Sequence, residues 1–472
     1  MNSGKLLGSL SMLLVLAGCM TIHNAHEAQE ALEAKGNGND PFHPAPICLA
    51  DYSLKELVNF AMTNRPSVVT AALAVDDAHL ALKEIAANAP LVSYSPWTSP
   101  KLSLSGGYNA SSPAERNLHW KTEGNASAGL SLQILLYDFG RNEAQAMAQV
   151  ENVLAAEHAF IQEGYAVFEE VSAAYFDLME SDALLQVAIT NEMEFAMHLR
   201  QAKDRLAAGE AQRLDVVRAR YELSRAKEDV ITASNKVVTS GASLMKALGI
   251  DASRGTRNEV YPPSGEALST VIRGFSRSTY DVDAAFELAR TNAPAVSIAR
   301  ARLRSASYAV DHAVADLLPS VSAEIGLSWA DPLWAWHWGV NAVQSVFQGF
   351  AKVTAVDRAV VAMRRAAAGV DEVEQQLSLD LEQAIAVRDN AGKKWETAKA
   401  SVASAREELD LAKARYLEGD ASRVDFTDAV SHYVTALGSR VSAFYVGQRA
   451  EAALFAFTGR MPEYNEETIR EK

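Results

Sequence analysis

The sequence predicts a mainly α-helical chain with a β-barrel portion, built as two copies of a strand hairpin followed by a very long helical hairpin. Three observations carry this. No proline occurs between Pro113 and Pro262, so nothing in that stretch forces a helix to break. Heptad spacing is sustained along it: Leu154, Ile161, Phe168 and Tyr175 fall seven apart, with Val171, Leu178 and Leu185 offset by three. The pattern is also written twice. Tyr137-Asp138-Phe139-Gly140 has a counterpart at Phe347-Gln348-Gly349-Phe350, and Gly209 has one at Gly419. Both offsets are 210 (347 − 137 and 419 − 209), the mark of an internal duplication.

In chain order, the first element is a leader. Lys5 gives a charged start, Leu6 to Leu16 is short and apolar, and Leu16-Ala17-Gly18-Cys19 matches the lipoprotein signal-peptide box. That resemblance implies removal of residues 1–18 and acylation of Cys19. Met20 rather than Asp after the cysteine is compatible with sorting to the outer membrane. Residues 19–52 then read as a lipid-anchored tether, polar and rich in Ala, Gly, Asn and Pro. His23, His26 and His43 lie in it without a fixed element to present them to a metal. Cys48 is the only other cysteine, so lipidation of Cys19 leaves no intramolecular disulfide.

The first repeat is expected over 53–262. Ser53-Leu54-Lys55-Glu56 is a capping box opening a helix with Leu57, Ala61 and Val68 or Val69 on its apolar side. Asn64-Arg65-Pro66 interrupts it, and a second helix runs to about Ala89. From Ala126 to Leu136, apolar residues alternate with Ser127, Gly129, Ser131 and Gln133, a strand, and Leu102 and Leu104 begin a weaker run before it. The long helix should extend from Arg141 to Arg205, at about 1.5 Å per residue a rod near 100 Å. After the turn at Gly209, a returning helix carries Val216, Leu223, Val230, Val237 and Leu244, with Ala219, Ala226, Ala233 and Ala247 between them.

A linker at 263–280 leads to the second repeat, 281–462, and a polar tail, 463–472. Asn292-Ala293-Pro294 repeats the earlier punctuation ahead of a helix from Ala295 to Asp316. Val321 to Trp329 and Trp334 to Ala342 alternate as strands. Val356, Met363, Val370 and Leu377 continue the heptads outward, and Val430, Val434, Leu437, Val441 and Phe444 continue them on the return.

Strands of roughly ten residues have the length that crosses a membrane as barrel wall, with the tryptophan-bearing face toward lipid and the Ser/Gly/Asn/His face toward a lumen. Two soluble hairpins with one buried face would show the same alternation. Four strands cannot close a barrel, and open edges are not tolerated in hydrocarbon, so spanning strands require several chains to share the wall. Physics leaves the number open; three chains would give twelve strands.

Composition narrows the function. A net charge of −15 disfavours nucleic acid as a partner. No segment after the first 20 residues is long and apolar enough for a membrane-spanning helix. No P-loop, dinucleotide fingerprint, HExxH, nucleophile elbow or metal-spaced Cys/His cluster occurs, so no enzyme chemistry and no cofactor is expected.

The combination resembles the TolC family of outer-membrane efflux channels, in its lipidated branch. The resemblance is carried by Leu136 through Arg141, Val171 through Phe176, Arg205 through Asp215, and Ala414-Arg415-Tyr416 through Asp425 to Ala429. It implies a homotrimer: a twelve-stranded transmembrane β-barrel continuing into a periplasmic α-helical barrel. The partners it implies are a periplasmic adaptor, met at the two helix turns, an inner-membrane pump that supplies energy, and outer-membrane lipid. Asp425 and Asp428 match a carboxylate pair lining the closed periplasmic entrance. Asp215 and Tyr416 match residues that latch helix pairs in the shut state. The latch arginine is Arg423 or Arg213, because Ala421 stands two residues after Gly419, where the family has an arginine. Gly209 and Gly419 suit left-handed turn positions open to an adaptor tip. Gly140 and Gly349 suit the strand-to-helix junctions, with Asp138 as a cap. The alternative reading is a lipid-anchored periplasmic adaptor or coiled-coil scaffold.

Overall fold

The computed structural model describes residues 54–87, 101–111, 123–209, 212–250, 282–330, 333–345, 348–418 and 423–458. The leader, Cys19, the tether, Cys48, the inter-repeat linker, Gly419 and the C-terminal tail lie outside them. The elements are α1 (Leu54–Asn64), α2 (Pro66–Ala87), β1 (Lys101–Ser111), β2 (Glu123–Tyr137), α3 (Arg141–Ala207), α4 (Arg213–Ala247), α5 (Val282–Asn292), α6 (Pro294–Ala315), β3 (Ser320–Ala330), β4 (Leu333–Val343), α7 (Ala351–Glu418) and α8 (Arg423–Thr458).

Duplication governs the lengths. α1 and α5 have 11 residues each, α2 and α6 have 22, α3 and α7 have 67 and 68, and α4 and α8 have 35 and 36. α3 and α7 each span about 100 Å at the usual helical rise.

The four strands form one antiparallel sheet in the order β1-β2-β3-β4. Its register resolves the alternation into two faces. Leu102, Leu132, Ile325 and Trp338 make one cross-strand row, and Leu104, Leu130, Leu327 and Trp336 make the next. The opposite face carries the row Ser103, Ser131, Gly326 and His337. Trp334, Trp336 and Trp338 are 64 to 73 % exposed. Among the described residues the apolar face therefore meets no core, and two soluble hairpins with a buried face do not describe it.

The helices add to the sheet as staves. Near the strands, α2 packs on α3, α3 on α6 and α6 on α7. Further along, α4 packs on α3, α3 on α8 and α8 on α7. Strand order and helix order agree, so the described residues form a wall of four columns whose outer ones end in β1 with α4 and in β4 with α7. The short helices α1 and α5 close the middle. Leu57, Val58 and Ala61 of α1 join Val167, Phe168, Val171 and Leu178 of α3 and Val237, Leu244 and Leu248 of α4 in the largest core. Ala289 of α5 packs likewise with Leu381, Ile385 and Leu454.

The heptad reading holds along α4, where Val216, Ala219, Ala226, Val237, Leu244 and Ala247 are buried. It fails at one position of α3: Ile161 is 40 % exposed. There α3 faces α2 and α6 on two sides, so Val153 and Val167 take the buried positions instead. On α2, Val68 is buried and Val69 exposed.

Candidate functional site at the helix tips and the strand wall

At the strand-to-helix junctions the two copies adopt one backbone with their residues exchanged. Phe139 and Gly140 have φ of 58° and 83°; Gly349 and Phe350 have φ of 61° and 63°. Two successive left-handed residues turn the chain from sheet into helix, and one of each pair is glycine, which meets no steric cost there. In both copies the same bonds then start the helix, Arg141 N to Asp138 O and Ala351 N to Gln348 O, each 3.2 Å. Asp138, 3 % exposed, accepts from the Asn142 amide at 2.9 Å and the Gly140 amide at 3.3 Å, satisfying donors of the first turn.

At the far end, Gly209 (φ 79°) follows the last residues of α3 and donates its amide to Leu206 O at 3.1 Å. Asp215 caps its own helix: its Oδ2 accepts from the Gln212 amide at 3.2 Å. Arg213 is exposed on the same turn. Asp425 and Asp428 are both exposed and lie three apart on the first turns of α8, whose Phe426, Ala429 and Val430 are buried. Arg423 opens α8, and its side chain lies outside the described positions.

Tyr416, 6 % exposed, is tied by an arginine that the sequence reading did not single out. The Arg205 guanidinium stands 5.2 Å from the Tyr416 ring centroid and donates to the Tyr416 carbonyl at 3.0 Å. Two further rungs join the hairpins. Lys413 of α7 reaches Glu194 of α3 at 3.0 Å, and Arg449 of α8 reaches Asp177 and Glu180 of α3 at 2.6 and 2.8 Å. Arg205 opens one of the stretches that carry the family resemblance. The other groups follow no repeat, because they depend on which helices become neighbours.

Mid-wall, the carboxyl of Asp182 is buried and pushed up by that burial. Burial, with the charges of Tyr175, Asp182 and Glu180, also raises the Tyr445 phenol. On the sheet's polar face, Glu324 and His337 approach within 4.0 Å. The His337 ring occupies the space over Gly326 that a Cβ there would fill.

An amphipathic four-stranded sheet that runs into 100 Å helices defines a wall segment of an outer-membrane channel. Residues 57–250 and 285–460 match the profile described as outer membrane efflux protein, and the chain belongs to that family. It is an outer-membrane efflux channel with a periplasmic extension.

Among solved structures, CusC, studied for folding and transmembrane channel formation, has 19 % identity and a TM-score of 0.73, covering 89 % of this chain and 97 % of its own. The CmeC outer membrane channel of Campylobacter jejuni has 17 % identity and a TM-score of 0.74, with 89 % and 88 % covered. The open-state MtrE channel of Neisseria gonorrhoeae has 16 % identity and a TM-score of 0.70, with 89 % and 97 % covered. No curated protein matches the sequence. At these identities the likeness is one of fold. The family match displaces the adaptor and scaffold readings.

Proposed function

We propose that three copies of this chain close into one conduit, a passive exit duct from periplasm to exterior, in a tripartite efflux or secretion system. The observation that carries this reading is that the wall is open at the same two columns in both layers. β1 and β4 are unpaired sheet edges among the described residues, and α4 and α7 are the matching free helices. An unpaired edge in hydrocarbon leaves backbone groups without partners, so a neighbour must supply them. Val217, Tyr221, Ile231 and Val238 recur on the side of α4 turned away from its seam with α3, each at least half exposed. They are the surface that α7 of the next copy would cover.

In this reading Cys19 carries the acyl chains that hold the assembly at the outer membrane. The tips at Gly209 and Gly419 receive a periplasmic adaptor, and an inner-membrane pump supplies the energy. Asp425 and Asp428 from three copies place six carboxylates around the periplasmic mouth, a ring that attracts cations and repels anions. Arg205 on Tyr416, with Lys413 on Glu194 and Arg449 on Asp177 and Glu180, holds the hairpins together in the shut state. Native mass spectrometry of the purified protein tests the assembly: a trimer is expected, and a membrane-inserted monomer or dimer as the sole species contradicts it.

A further inference from the structure

Sixteen or so ångströms above the Gly209 turn, by the usual helical rise, one side chain touches three other long helices. His198 of α3 is 0 % exposed. Its ring centroid lies 5.3 Å from that of Tyr416 on α7 and 4.9 Å from that of Phe426 on α8. Its Nδ1 lies 3.6 Å from Oε2 of Glu222 on α4. Tyr416 and Phe426 stack on each other at 5.6 Å.

We propose that His198 is the positioning residue of the helical gate, and that its proton occupancy sets how tightly the four helices hold together. The inference rests on the conduit reading above and assigns it a control point distinct from the carboxylates at the mouth. A neutral imidazole here is an aromatic filler between two rings. Once protonated, it becomes a buried cation that requires a partner. Glu222 stands at ion-pairing distance, and the Tyr416 and Phe426 rings lie within the range over which an aromatic ring can attract a cation.

The surrounding charges are of both signs: Glu222 favours the imidazolium, and the Arg205 guanidinium over the Tyr416 ring opposes it. From α4 comes Glu222, and from α7 come Tyr416 and Lys413, the latter held by Glu194 of α3 at 3.0 Å. From α3 itself comes Arg205, on Tyr416. From α8 comes the ring of Phe426, with Asp425 on that helix's exposed side. The nearest acidic group is thus directed at the imidazole, while the lysine is held by a carboxylate of its own. Proton uptake draws α4 toward α3 through Glu222 and tightens the hold on α7 and α8, so acid closes the gate. Histidine suits this role because its charge changes near neutral pH.

The test uses the full-length, lipidated protein and compares wild type with His198→Phe and Glu222→Gln. His198→Phe keeps an aromatic ring in the cluster and removes the proton. Conductance in planar bilayers is read from about pH 8 to about pH 5, the range of histidine's charge change. Nitroxide distances between Asp204→Cys on α3 and Ser431→Cys on α8, in a Cys48→Ser background, are read over the same range. Wild-type conductance should fall at least about fivefold toward acid, the lower end of ordinary couplings, and the distance distribution should narrow. His198→Phe should flatten both curves, and Glu222→Gln should weaken both. A His198→Phe protein that keeps the wild-type pH response in the distances overturns the proposal, whatever the conductance does. Absence of current in every variant with a normal distance response contradicts the conduit reading and leaves the histidine hub standing.

Discussion

Arg141, the first residue of α3, donates from Nη1 to Oδ1 of Asp316 at 3.2 Å, across the boundary between the two repeats. Asp316 follows the last residue of α6, and Lys352 at the start of α7 reaches its Oδ2 at 3.4 Å. One carboxylate therefore pins three helix ends where the sheet gives way to the staves. Burial opposes its ionisation, but the hydrogen bonds and charges of Arg141 and Lys352 outweigh that and hold its carboxyl below the usual range.

Asp316→Asn should therefore lower stability at neutral pH. A lowered carboxyl contributes stability above its unfolded value, near pH 4, and loses it as pH falls through the folded value. The side chain is 40 % exposed, so solvent screening limits the effect to about 1 kcal/mol. Thermal melts followed by helical signal should separate variant from wild type at pH 7 and draw together as pH falls from about 4 through the lowered folded value. A gap that persists unchanged at acid pH would show that the carboxylate charge is not the cause.

Asp182 gives the opposite sign. Burial raises its carboxyl, so the folded state holds a proton more tightly than the unfolded chain. Its contribution is unfavourable above the folded value and vanishes below the unfolded one. Asp182→Asn is expected to raise the melting temperature at pH 7, with the gain disappearing as pH falls below about 4. A destabilised variant at pH 7 would mean that the charged form is held by a partner.

Two apolar substitutions on α4 should part company. Leu244, 1 % exposed, lies in the seam against α3, and Leu244→Ala should cost about 3 kcal/mol through lost burial and the cavity left behind. Ile231, 70 % exposed, faces away from that seam. Ile231→Glu should leave the helical content of the chain intact while native mass spectrometry shows loss of trimer. Trimers as abundant as wild type would move the subunit interface off this stripe.

Much of this was legible in the sequence because it depends on spacing alone. The 210-residue offset, the seam from Val216 to Ala247 and the alternation from Val321 to Ala342 each follow from periodicity, and each reappears as helix, seam or sheet face. Ile161 was misread because a heptad assumes one partner, and α3 has two at that height. The partners of Arg205, Arg449 and His198 were illegible for a related reason: each acts between elements far apart in the chain, and no local pattern states which helices become neighbours. Tyr416 was legible only through resemblance to a family, and its tie to Arg205 required the fold.

Ion passage tests the central claim most directly. Single-channel conductance of the purified protein is compared in planar bilayers with that of an Asp425→Ala/Asp428→Ala variant. A trimeric duct with its constriction at the exposed carboxylates of α8 predicts small, cation-selective currents that grow and lose selectivity in the variant. Well-folded protein that carries no current in either form would contradict the account.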